Sequence, residues 1–133
     1  MYGIIKNIET IENVELENDL KSYDGYKVTT DQTNIFILIS NRQYCCEGWG
    51  YLSSDDDLSQ FMGAELKEVN LTDTGLNKIN VEKLWINEGG IQFVDFVTNK
   101  GTFQLAVYNG HNGYYGHFIK VIIGDKAICE EWL

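Results

Sequence analysis

The sequence predicts an α+β fold: a single twisted, mostly antiparallel sheet with one or two short helices, spanning residues 1–133 as one domain. Three observations carry that expectation. Short apolar or alternating runs recur along the chain, separated by Gly and Asn/Asp turns such as "YDGY", "NEGG", "TNKG" and "IIGDK". There is no proline, so 13 glycines and the Asn/Asp residues must punctuate the fold. One segment, "SSDDDLSQFMG", carries helix signals at both ends.

The elements follow in chain order. "YGIIKNI" reads as a first strand. "TIENVELENDLKS" is ambiguous, because Ile11, Val14, Leu16 and Leu20 fit a helical face imperfectly. "GYKVTT" and "NIFILIS" form a hairpin across "DQTN", and the unbroken apolar run Ile35 to Ile39 predicts a strand covered on both faces. In "SSDDDLSQFMG", Ser54 is the predicted N-cap. Asp55, Asp56 and Asp57 fall in the first turn, where carboxylates meet the helix's partial positive charge. Leu58, Phe61 and Met62 share a face, and Gly63 is the stop, giving a helix of about two turns.

"AELKEVNL" is the next strand, and "VEKLWI" follows a polar loop. "IQFVDFVT", "TFQLAVY" and "HFIKVIIG" complete an antiparallel meander, with Phe103, Leu105 and Val107 facing one way. A short "KAICEEWL" ends the chain, for about six to eight strands in all.

Composition limits function. Apolar residues make up 44% of the chain, enough for a core at this length. Ten basic against twenty acidic residues give a net charge of −10, with −8 of it in residues 1–65. Such a surface repels phosphates and anionic lipid, which argues against direct nucleic-acid or membrane binding and favours a basic partner. Three cysteines, two of them adjacent, are no secreted disulfide framework. "MYGIIKNIETIE" lacks the pattern of an export signal, and no apolar run nears the roughly 18 residues of a membrane span. The expected location is the cytoplasm.

Cys45 and Cys46 invite a chemical reading. Neighbours on a strand point to opposite faces, so both cannot easily hold one ion, and the chain has no Cys-x-x-Cys. His111 or His117 beside one cysteine is the remaining metal or Cys–His option. The nearby aspartates would raise the thiol pKa by like-charge repulsion. Packing is the favoured role, with no cofactor, no metal and no enzyme activity expected. Phosphate loops and serine elbows are absent.

The expected binding residues are loop aromatics and their acidic neighbours: Trp49, Tyr51, Asp55, Asp56, Asp57, His111, Asn112, Tyr114 and Tyr115. "GWGY" and "NGHNGYYG" set large rings between glycines, and Trp and Tyr dominate binding hot spots. The competing reading packs those rings on the sheet.

Gln43-x-Cys45-Cys46-Glu47, the acidic segment ending at Gly63, the Thr98-x-Lys100-Gly101 hairpin and Asn112-Gly113-Tyr114-Tyr115 occur in an order that resembles a family of small uncharacterised bacteriophage and prophage proteins. The resemblance covers Ile35 to Val121. It implies a phage gene product in a bacterial host cytoplasm and supplies no mechanism. In that setting the expected function is counter-defence: binding and blocking a host immune protein, such as a nucleic-acid-handling enzyme with a basic groove. One alternative is a sponge for a nucleotide immune signal, with Arg42, the only arginine, as anion clamp. Another is a structural or assembly accessory, or a homodimer paired through a sheet edge.

Overall fold

A computed structural model describes residues 2–42, 48–55, 57–73, 75, 90–110 and 116–133. Among the described residues nine strands occur in the order β1 (Gly3–Glu15), β2 (Ser22–Thr30), β3 (Asn34–Ser40), β4 (Trp49–Ser53), β5 (Glu65–Thr72), β6 (Gly90–Thr98), β7 (Gly101–Asn109), β8 (Phe118–Ile123) and β9 (Lys126–Trp132). A four-residue 3-10 turn, Leu58–Phe61, lies between β4 and β5. All strand pairs are antiparallel, in the spatial order β4-β7-β6-β5-β1-β2-β3-β8-β9.

The fold is therefore all-β, not α+β, and the described residues include no α-helix. Neither segment with helical signals forms an α-helix. Ser54 extends the β4–β7 ladder instead of capping a helix: its N–H donates to the Gln104 carbonyl at 2.9 Å, and its hydroxyl accepts from the Gln104 N–H at 2.9 Å. The cap moves to Asp57, whose carboxylate accepts the Ser59 N–H at 2.9 Å. Gly63, at φ +79°, then turns the chain into β5. Too few residues remain to offset the cost of nucleating an α-helix.

"TIENVELENDLKS" instead extends β1 to Glu15. A bulge lies between Ile11 and Val14, with Asn13 at φ +54°. The extra residue puts Ile11 opposite Gly25 and Val14 opposite Tyr23, on one face despite a spacing of three. That spacing is what imitated a helix.

β1 divides the sheet. It pairs with β2 along most of its length but with β5 only at Gly3 and Ile4. The two halves face each other, β2 over β4 and β3 over β7. Between them lies one core. Val94, Phe96, Phe103, Leu105 and Val107 come from one half, and Tyr26, Val28, Ile35, Ile37, Ile39, Ile119 and Val121 from the other. In this core Phe103 stacks on Phe96 at 4.8 Å and lies against Phe61 at 4.7 Å. Phe103, Leu105 and Val107 face this core together, as their alternation predicts. Leu38 and Tyr23, also fully buried, lie on the opposite face of the second half. "VEKLWI" lies outside the described residues.

Candidate functional site

Among the described residues β4 is one of the two edge strands, and it carries Trp49 and Tyr51, with Asp55 and Asp57 just beyond its end. Tyr51 pairs with Val107 and so turns inward, as does Trp49 opposite Asn109. Each ring bridges the two halves. Tyr51 meets Tyr26 of β2 edge-on at 5.3 Å, and Trp49 stacks on His117 at 5.0 Å. Both are half-buried. The rings thus line the seam between the halves, with only part of their surface toward solvent.

The seam is acidic. Burial raises the Tyr51 hydroxyl's pKa, and Glu12 of β1 and Asp24 of β2 raise it further. Asp55 is half-buried, its carboxylate accepting from the Ser54 hydroxyl at 2.8 Å. Asp57 is exposed, and its carboxyl pKa lies below the usual value because the Ser59 hydroxyl and N–H both donate to it. Glu12 of β1 and Asp24 of β2 therefore lie near the Tyr51 hydroxyl, and Asp55 and Asp57 follow the end of β4 in the chain. Asp56, His111, Asn112, Tyr114 and Tyr115 lie outside the described residues, as do Cys45 and Cys46.

His117 is buried, and its Nδ1 lies 2.6 Å from the Ser40 carbonyl, which can only accept. Nδ1 therefore holds the ring hydrogen. Among the described residues no three His, Cys, Asp or Glu side chains converge as a metal site would need. Cys129 of β9 has its thiol pushed up to about 11 by burial and by Glu131 beside it, which makes it a poor nucleophile at neutral pH. No helix among the described residues is long and apolar enough to cross a membrane.

A second locus lies by the other edge strand, β9, where Lys21, Arg42 and Trp132 border a cavity of about 500 Å³. Arg42 stands out in the sequence as the only arginine, whereas its neighbours here do not. Lys21 and Trp132 are distant in sequence and follow no motif, so only the pairing of β8 with β9 and the β1–β2 connection reveal them.

Residues 3–121 match the family described as "Domain of unknown function (DUF7448)", and the chain belongs to that family. No curated protein and no solved structure matches it.

Proposed function

We propose that this DUF7448 domain is a non-catalytic binding protein that docks a basic, extended segment of a partner protein along the edge of β4. The observation that carries the reading is Glu12 and Asp24 beside Tyr51 on an edge strand that runs on into Asp55 and Asp57. An edge strand offers backbone donors and acceptors to an added strand. The carboxylates select lysine and arginine on that strand and steer its approach, in a chain whose net charge is −10. Trp49 and Tyr51 give the seam a rigid apolar floor, each fixed by a ring from the other half.

In the setting that the phage-protein resemblance implies, the partner is a host defence protein with a basic groove. The carboxylates then occupy the places of nucleic-acid phosphates. Affinity capture from bacterial lysate tests this, with the wild-type chain and a D55K/D57K variant side by side. The expected result is a partner retained by the wild type, lost by the variant, and released when salt rises from about 0.1 to about 0.5 M. Capture indifferent to both changes, or no capture at all, overturns the reading.

A further inference from the structure

The cavity at the β9 edge differs from the rest of this acidic surface. Among the described residues its lining holds Lys21 and the chain's single arginine, Arg42, and no carboxylate; the Lys21 ammonium lies 4.0 Å from the Asp19 carboxylate and over the Phe118 and Trp132 rings. Among the described residues, three large apolar side chains are exposed: Leu20, Leu71 and Trp132. Two of these, Leu20 and Trp132, border this one cavity. Ser40 and Asn41 add polar groups to its wall. A volume of about 500 Å³ lies in the range of pockets that enclose small organic ligands.

The walls are held in place from behind. The Asp19 carboxylate accepts from the Tyr23 hydroxyl at 2.7 Å and from the Lys21 N–H at 2.9 Å, and it pairs with Lys120 at 3.1 Å. These contacts pin the β1–β2 connection that presents Leu20 and Lys21. On the other side, the Asn41 N–H donates to the Ser22 carbonyl at 3.0 Å, and its side-chain amide donates to Asp24 at 2.9 Å. These fix the residue before Arg42. Trp132 stands edge-on to Phe118 at 5.1 Å. A Cβ added at Gly116 would come within 3.1 Å of its ring. The indole is therefore positioned by its neighbours while its relative exposure stays at 61%.

An indole beside two cations suits a ligand that is a flat ring at one end and an anion at the other. Rings stack on tryptophan whatever their sequence identity, and a guanidinium takes a phosphate through paired N–H donors. We infer that this cavity is a binding site for a nucleoside monophosphate, its base against Trp132 and Leu20 and its phosphate between Lys21 and Arg42. The cavity lining shares no side chain with the β4 edge, although Asn41 bonds Asp24 and Gly116 adjoins His117, and nucleotide binding needs no partner docked at β4. A long polyanion is a poor occupant, because the −10 charge of the whole chain repels every phosphate beyond the cavity.

Titration calorimetry with AMP and GMP, together with amide and indole N–H spectra, tests the assignment. The expected result is a Kd below about 1 mM for at least one of them. Adenosine and inorganic phosphate should each bind at least about 10-fold more weakly, since each engages half the cavity. R42Q and W132A should each weaken binding about 10-fold or more, W132F much less, and the Trp132 indole signal should shift on binding. D55K/D57K should leave the affinity unchanged, which separates this site from the docking edge. K21Q supplies a second variant at a side chain already 41% exposed, should R42Q unfold. No heat with AMP or GMP up to about 10 mM overturns the assignment. So does affinity indifferent to both R42Q and K21Q, inorganic phosphate binding as tightly as AMP, or an oligonucleotide binding more tightly than either nucleotide.

Discussion

Asp19 shows how one side chain can hold a connection in place. Burial alone would raise its pKa, but the Tyr23 hydroxyl, the Lys21 N–H and Lys120 outweigh burial and bring it from 3.8 to about 2. The ionised carboxylate is thus favoured by folding. Its contribution is complete above about pH 4 and disappears as the pH falls from there through about 2. D19N is expected to cost about 1–3 kcal/mol at pH 7, since charge-assisted bonds are lost to a buried tyrosine. Urea unfolding of both chains at pH 7, 4 and 2 checks this, and the gap between them should close at the acid end. A gap that stays constant across that range would show that Asp19 acts by shape alone. Cys129 permits a second check. With its thiol at about 11, about one thiol in a thousand is ionised at pH 8. Its alkylation by iodoacetamide, followed on the Cys129 peptide by mass spectrometry, should run at least about 10-fold slower in the folded chain than in urea. Equal rates would remove the case for a shielded thiol. Neither property was legible beforehand. Asp19 and Lys120 meet only after β8 aligns beside β3, and Cys129 looked like any residue of a short terminal run.

Strands were easier to read than the segments between them. "NIFILIS", "TFQLAVY" and "AELKEVNL" each became a strand, because alternation and β-branched residues fit a pleated surface wherever it lies. The helix expected from Ser54 failed because capping residues are equally good turn residues. Ser54 met Gln104 of β7 first, a partner fifty positions away that no local pattern announces. The bulge in β1 hid a strand behind helical spacing for a similar reason. At this scale Gly25 is the most exacting position. It sits at φ +152°, and an added Cβ would lie 1.9 Å from the Ile37 carbonyl oxygen of the neighbouring strand. The clash is with backbone, so β2 and β3 would have to part. G25A is expected to cost about 3 kcal/mol or more, read as a lowered urea midpoint. A loss below about 0.5 kcal/mol would mean that the hairpin can slide to make room.

Two linkages join the halves of the molecule, and they differ greatly in extent. The ladder crosses from one half to the other through β1, which meets β5 at Gly3 and Ile4 and is helped by the bond between the Ile5 N–H and the Ala64 carbonyl at 2.9 Å. The core, by contrast, is continuous, with buried side chains from β2, β3 and β8 packed on those from β6 and β7. Burial of that kind supplies most of the stability of a small domain, whereas a few ladder bonds contribute little net. The halves should therefore rise and fall together. Phe103 lies in the first half, touching Phe96 and Phe61, both of which belong to the same half or to its rim. F103A is expected to cost about 3–5 kcal/mol, and V28A, in the second half, a smaller amount. Hydrogen exchange reads the coupling directly. In F103A, amides of β3 such as Ile37 and Ile39 should lose as much protection as those of β7, although no bond of theirs has been touched. V28A should in turn loosen β7. If F103A frees only β4 to β7 while β3 and β8 keep their protection, the halves are two separate folding units joined at β1. The seam on which the β4 edge depends would then open without the chain unfolding, and docking at β4 would have to be coupled to that opening.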